Sequence, residues 1–373
     1  MRFTIKREEF LKGLNIASRA IASKTAAPVL ANLKIELDEK GMSITGSCYD
    51  LTIKTLIPYV LNDEEIIRNY KEGATLINAK IITEIARRMD CAELTLDIID
   101  STIATISDAH SEYKLNCIKA EEYPDLDLDP VGTKLTLSKK DFDSIINQTA
   151  FAASIKEQRP ILTALNMEAS YGTLTVTATD SARMARKTIK ISDEIAFVAN
   201  VPAKMMFEVS KLTEGMDEIK IAFSDKKALF TLGNTVVASR LVAGDYPNTK
   251  NIVPKITNYL LEVNANDFIK AIEKASILSI DRENVVDLTM SEDHVELSAK
   301  SSQVGTTKQT IDVFKYDGQD LKISFNSEFV IAAVRALNCQ DVAFSFVGEM
   351  KPFVIKNTSD DSIIQIVTPV RTY

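Results

Sequence analysis

Four columns of residues recur at a fixed spacing of 124: Ile81, Met205 and Phe329, then Ile82/Met206/Val330, Ile85/Val209/Ala333 and Met89/Thr213/Leu337. Self-similarity at a fixed period marks one structural unit written several times, so the chain is constrained to a repeated domain. A second helix-like stretch repeats as well, as "KREEFLKGLNIAS", "SKKDFDSIINQTAFAA" and "NANDFIKAIEKAS". Its apolar stripe is Phe10, Leu14 and Ala17 in the first copy. Phe142, Ile145, Ile146 and Thr149 form it in the second, and Phe268, Ile272 and Ala275 in the third. Each stripe has the i, i+3/i+4, i+7 spacing of a core-facing helix.

Short alternating runs, "RFTIK", "KLTLS" and "YLLEVN", lead into these helices as strands would. Between the two helices of each copy lie hairpin-like segments: "LKIELDEKGMSITGS", "LNMEASYGTLTVTAT" and "VDLTMSEDHVELSAK". More strand-like runs follow the second helix, as in "AELTLDI", "DEIKIAF" and "DVAFSF". The first two copies end in proline-bearing text without periodicity, "EEYPDLDLDPVG" and "GDYPNTKNIVP", which reads as linker. The fold class is therefore α+β: three tandem domains, 1–126, 127–253 and 254–373, each with two helices packed on antiparallel sheets.

Composition excludes several classes. Hydrophobic residues make up 45% and charged residues 26% of the chain, as in a globular protein with buried cores. The N-terminus shows no signal-peptide pattern, and no apolar run approaches the ~18 residues that span a bilayer. The expected address is cytoplasmic, with no membrane partner. The four cysteines have no C-x-x-C spacing and are expected to be buried thiols. With only two histidines, His110 and His294, both in turn-like text, no metal, cofactor or catalytic triad is expected.

The net charge of −8 argues against nucleic-acid binding by the molecule as a whole, but its distribution argues otherwise. The helices predicted at 7–19, 78–90, 138–153, 202–211, 264–275 and 325–336 sum to +3, leaving −11 on the other 297 residues. Lys80, Glu84 and Arg87 recur 124 residues on as Lys204, Glu208 and Lys211, on one helix face. Helices held towards an anion would contact phosphates without reading bases. A 124-residue domain is about 35 Å across as a sphere. Three such spheres leave a hole of about 5 Å and six leave about 35 Å, against a duplex roughly 20 Å wide. Encircling DNA would take two copies.

Two other readings stand beside this one. An enzyme would find its best acid/base pair in Asp50 and Asp180, at similar places in two copies, but the third copy has Lys300 there. No P-loop, dinucleotide-binding or nucleophile-elbow motif is present among twelve glycines. A repeat scaffold binding only proteins would leave the basic helices incidental.

Taken together, "RFTIKREEFL", "APVLANLKI", "TATDSARMA", "GDYPNTKNIVP" and "IVTPVRTY" resemble, in order and spacing, the bacterial DNA polymerase III beta subunit family, the sliding clamps. The resemblance covers the whole chain. It implies three DNA-clamp domains closing into a ring as a head-to-tail homodimer, a non-catalytic processivity factor that tethers the replicative polymerase to double-stranded DNA. It marks Lys24, Lys12, Arg19, Lys80, Arg87, Arg88, Lys139, Lys140, Lys204, Lys211, Lys270, Lys274 and Arg335 as DNA contacts. It also implies a pocket for short linear peptides of polymerases, the clamp loader and repair proteins. One wall is Thr179, Asp180, Ser181, Ala182, Arg183 and Met184, with Ser181-Ala182 replacing the glycine-histidine often found there. Pro247 and Ile252 supply the linker wall, and Val367, Pro369, Val370 and Arg371 the tail wall. For the subunit contact it implies Tyr113 and Leu115 on one side and Ile277 and Leu278 on the other.

Overall fold

The computed structural model describes residues 1–22, 27–99, 102–279 and 284–371. Its helices are α1 (Arg7–Ser18), α2 (Ala79–Arg88), α3 (Lys139–Thr149), α4 (Ala203–Ser210), α5 (Ala265–Ser276) and α6 (Ser327–Leu337), two for each sequence repeat. The predicted 138–153 segment ends as α-helix at Thr149 and finishes in a 3₁₀ turn, Ala150–Ala152. Asn78, Asn264 and Asn326 cap α2, α5 and α6, each side-chain oxygen accepting from backbone amides of the first turn.

Spatial proximity divides the chain into two compact units, Met1–Lys139 with Phe207–Leu241, and Lys140–Met206 with Val242–Tyr373. The second repeat is shared between them, because its hairpins add to the sheets of both neighbouring repeats.

In the first unit, one sheet has the order Glu112–Asn116, Ile103–Ser107, Glu93–Ile99, Arg2–Lys6, Ile67–Lys71. A second sheet has eight strands and runs from Thr133–Ser138 through Thr235–Arg240 and Leu51–Ile57 to Gly73–Asn78. Its joint between repeats is antiparallel, Thr235 opposite Thr55 and Ser239 opposite Leu51, with the two threonine hydroxyls 2.9 Å apart. Phe3, Phe10, Leu14, Ile44, Ile82 and Leu96 form the core beneath α1 and α2. Gly46 lets the end of α1 approach the sheet, since a Cβ there would lie 2.2 Å from the Ala17 carbonyl oxygen.

In the second unit, nine strands run from Phe197–Pro202 through Arg183–Lys190 and Asp360–Val367 to Lys315–Asp317. A four-stranded sheet, with Gly305–Thr310 at its edge, covers the other side of the α5/α6 core. Phe268, Phe325, Phe344 and Phe353 are wholly buried there.

Phe10, Phe142 and Phe268 are each 0% exposed, so the repeated stripe is a core stripe worth about 1.5–3 kcal/mol per ring. Among the 124-spaced columns, Ile82, Met206 and Val330 are also 0% exposed. The Ile81 column departs from this burial. Ile81 is 48% exposed and Phe329 only partly buried, because this column lies one residue around the helix from the core. The cysteines depart from expectation: only Cys117 is buried, and Cys48, Cys91 and Cys339 are half-exposed. Among the described residues no helix is long and apolar enough to cross a membrane.

Candidate functional sites: helix faces and tail groove

Each of the six α-helices among the described residues presents cations to solvent. Lys12, Arg19, Lys80, Arg87, Arg88, Lys140, Lys204, Lys211, Lys270, Lys274 and Arg335 are exposed, and Lys139 is half-buried. Lys24 lies outside the described residues. The faces are less positive than a count of cations suggests, because carboxylates share them. Glu84 accepts from both Arg87 and Arg88, the latter at 3.3 Å. Glu208 pairs with Lys211 at 2.7 Å and with Arg19 at 3.2 Å. Arg335 pairs with Glu273 at 2.7 Å and Lys270 with Asp267 at 3.7 Å. Among the described residues, no carboxylate lies within ion-pair distance of Lys12, Lys80, Lys140, Lys204 or Lys274.

The residues expected to form a peptide pocket come from three distant parts of the sequence. Thr179–Arg183 is a tight turn built on Asp180, whose Oδ1 accepts from the amides of Ala182 (2.9 Å) and Arg183 (3.0 Å). Its Oδ2 accepts from Arg183 Nε at 3.0 Å. Ser181 adopts φ 81°, the left-handed region that such a turn requires. These contacts make Asp180 a turn cap. Asp50 is 66% exposed and lies 3.9 Å from Arg240, so neither residue has the setting of an acid/base pair.

The turn leads into a strand that joins the tail strand directly, Arg183 opposite Val367 and Met184 opposite Ile366. The chain then runs on with Thr368 N donating to Ala182 O (2.9 Å) and Val370 N to Ser324 O (2.8 Å). Thr179, Met184, Val367 and Pro369 are buried, while Ser181, Pro247, Ile252 and Arg371 are exposed around them. The linker wall is drawn in by Val253, which packs on Met184, Val354 and Ile366. Tyr246 holds the linker as well: its hydroxyl accepts from Thr179 N at 3.0 Å, and burial pushes its pKa up. Arg186 ties down Thr249 through the carbonyl (3.0 Å) and hydroxyl (2.8 Å). Beside this tie the linker borders an open polar cleft of about 670 Å³, which only Pro247 of the expected set lines.

Sequence reasoning missed Val253, Val354 and Ile366, and also Phe151 and Phe329. These two rings flank the Arg183 guanidinium at 5.5 and 4.5 Å. Val253 and Ile366 adjoin residues already singled out, which was the available signal. Phe329 stands in a 124-spaced column, which marks the repeat but not this contact, and nothing local marks Phe151.

Tyr113 and Leu115 lie on the edge strand Glu112–Asn116, whose outer side has no partner strand among the described residues. Tyr113 is 38% exposed, and Leu115 packs partly on the first-unit core. Ile277, just past α5, is 66% exposed, and Leu278 is half-buried. Among the described residues, no group of three or more His, Cys, Asp or Glu could hold a metal ion.

Comparison with known proteins accounts for the whole chain. Family models of the DNA polymerase III beta subunit match at residues 1–127 (N-terminal domain), 136–248 (central domain) and 250–371 (C-terminal domain). The beta sliding clamps of Halalkalibacterium halodurans and Staphylococcus epidermidis are each 35% identical, with all of both chains covered. The crystal structure of the DNA polymerase sliding clamp from Bacillus subtilis matches with a TM-score of 0.96 at 31% identity, again covering all of both chains. Three repeats of two helices on antiparallel sheets, each matched by its own domain model, and relatives covered from end to end place this chain in the DNA polymerase III beta subunit family.

Proposed function

We propose that this chain is a bacterial sliding clamp, a non-catalytic processivity factor. Two copies close head to tail around duplex DNA and tether the replicative polymerase, the clamp loader and repair proteins in the cytoplasm. The observation that carries the DNA part is the set of exposed cations on all six helices of an otherwise acidic chain. Such contacts bind phosphate without sequence preference and weaken with salt.

The tail groove is the proposed peptide site. Its walls converge from Thr179–Met184, the linker at Pro247 to Val253, and Val367–Arg371, with a floor of buried Met184, Val367 and Pro369 and a mixed rim of Ser181, Arg371, Pro247 and Ile252, which suits an extended peptide. Ring closure is proposed to use the edge strand bearing Tyr113 and Leu115 against the third repeat of the second copy, near Ile277 and Leu278. That repeat offers its own edge, Gly305–Thr310, in a four-stranded sheet, with no partner strand on its outer side among the described residues. Joining five strands to four would give a nine-stranded sheet, the size already formed within the second unit. Pairing both edges in a closed dimer also removes an aggregation hazard.

The test is topological. The protein is loaded on nicked circular DNA by its clamp loader, and the circle is then linearised. Retention on the circle and release on linearisation are expected. Retention that survives linearisation, or no retention on the circle, would reject the ring. Charge reversal of Lys80, Arg87, Lys204 and Lys211 to Glu is expected to weaken DNA association without unfolding the protein. Unchanged association would show that these helix faces do not meet DNA.

A further inference from the structure

The 124-residue period places one cation at the second helix of every repeat: Arg87 on α2, Arg335 on α6 and Lys211 directly past the end of α4. Each is held by a carboxylate. In the first two repeats the acid is itself a repeated residue, Glu84 and Glu208, three positions earlier on the chain. The third repeat has Ala332 at that position. The acid is nonetheless restored from the neighbouring helix α5, where Glu273 meets Arg335 at 2.7 Å. The corresponding place on α1 is occupied by Asn15, whose side-chain oxygen accepts from Arg87 at 3.4 Å. The same cation is thus engaged in three repeats by acids from two unrelated sequence positions. Stability is a poor reason for this, since Glu84 and Glu273 are 38% and 48% exposed and such pairs contribute little.

We propose that Glu84, Glu208 and Glu273 are positioning residues that hold the column cations back from full engagement with phosphate, keeping DNA contact weak enough for the ring to move. This rests on the reading that the helix faces meet DNA. A phosphate approaching Arg87, Lys211 or Arg335 must compete with a carboxylate already in place. Glu208 also engages Arg19, so its negative charge is divided between α1 and the end of α4. Burial raises the Glu208 pKa, but the hydrogen bonds and charges of Lys211 and Arg19 outweigh it, leaving the carboxyl below its ordinary value and ionised at neutral pH.

The test compares the dimer carrying Glu84→Gln, Glu208→Gln and Glu273→Gln with a control in which exposed Glu39, Glu194 and Glu349 become Gln. Binding to a short linear duplex that a ring can thread is measured by anisotropy across a salt titration. The helix-face variant is expected to bind about 3–10-fold tighter at low salt, with a log–log salt slope steeper by roughly 2–3, the control remaining near wild type. An unchanged slope, or an equal change in the control, would overturn the proposal. If Lys80, Arg87, Lys204 and Lys211 reversal weakens binding while the Gln variant does nothing, this inference alone fails. If neither has an effect, the DNA-facing reading fails first. Should the triple variant melt early, Glu84→Gln alone is read for about a third of that slope change, since both partners of Glu84 lie on its own helix.

Discussion

The guanidinium of Arg183 lies 4.5 Å from the ring centre of Phe329, 146 residues further along the chain. With Phe151 on another side and Asp180 holding Nε, this charge is committed before any peptide arrives. In the proposed groove Arg183 would therefore shape the wall rather than act as a free anchor for a ligand carboxylate. Replacing Phe329 by Leu keeps an apolar side chain but removes the π face, and is expected to cost about 0.5–2 kcal/mol. A double-mutant cycle with Arg183→Met, read by denaturant unfolding, isolates the coupling. A coupling near zero would mean that the ring only fills space.

Gly46→Ala is expected to destabilise the first unit by about 1–3 kcal/mol. The new methyl would meet the Ala17 carbonyl oxygen at 2.2 Å, and that atom belongs to the last turn of α1, which is anchored by buried Phe10 and Leu14. Denaturant unfolding provides the check, and a midpoint equal to wild type would show that α1 can lift from the sheet at little cost.

The repeats were legible because a buried helix stripe must keep its 3.6-residue period, and Phe10, Phe142 and Phe268 do so in plain view. Repetition alone does not separate core from solvent: Ile81 recurs as strictly as Ile82, yet lies one position around the helix and is 48% exposed. Arg183 with Phe329, and Arg335 with Glu273, were illegible because each contact joins elements whose adjacency only the folded sheets decide. The net charge of the helix faces can be read from the sequence but its pairing cannot, since a sum of charges says nothing about which oxygen a guanidinium reaches.

Deletion of Val370 to Tyr373 is expected to abolish binding of a polymerase-derived peptide while leaving the dimer intact. The deletion removes the amide that donates to Ser324 O and half of the tail wall, but touches neither edge strand. Peptide titration and sedimentation together decide it. Unchanged peptide affinity would reject the placement of the site, and loss of the dimer would reject its independence from ring closure.

Tyr113→Glu combined with Ile277→Glu is expected to give a folded monomer. Both side chains are exposed in the single chain, at 38% and 66%, so the substitutions cost the monomer little. Buried in a closed interface, an unpaired carboxylate costs several kcal/mol. Sedimentation velocity with a circular dichroism control tests this, and a dimer of wild-type affinity would exclude these residues from the interface.

Lys187 is only 7% exposed and is held by Ser362 Oγ at 2.6 Å and Asp360 Oδ2 at 3.3 Å. The Ser362 hydroxyl and amide, with Lys187, outweigh partial burial and hold the Asp360 carboxyl below its ordinary value. A carboxylate with a depressed folded pKa stabilises above its unfolded value near 4, and that stabilisation is lost as pH falls through the lower, folded value. Asp360→Asn is expected to cost about 1–2 kcal/mol at neutral pH, a figure kept small because the carboxylate is 38% exposed. The gap between wild type and variant should hold from pH 7 to about pH 5 and close below about pH 4. Thermal melts across that range check the sign, and a gap that widened on acidification would show that Asp360 does not carry the charge facing Lys187.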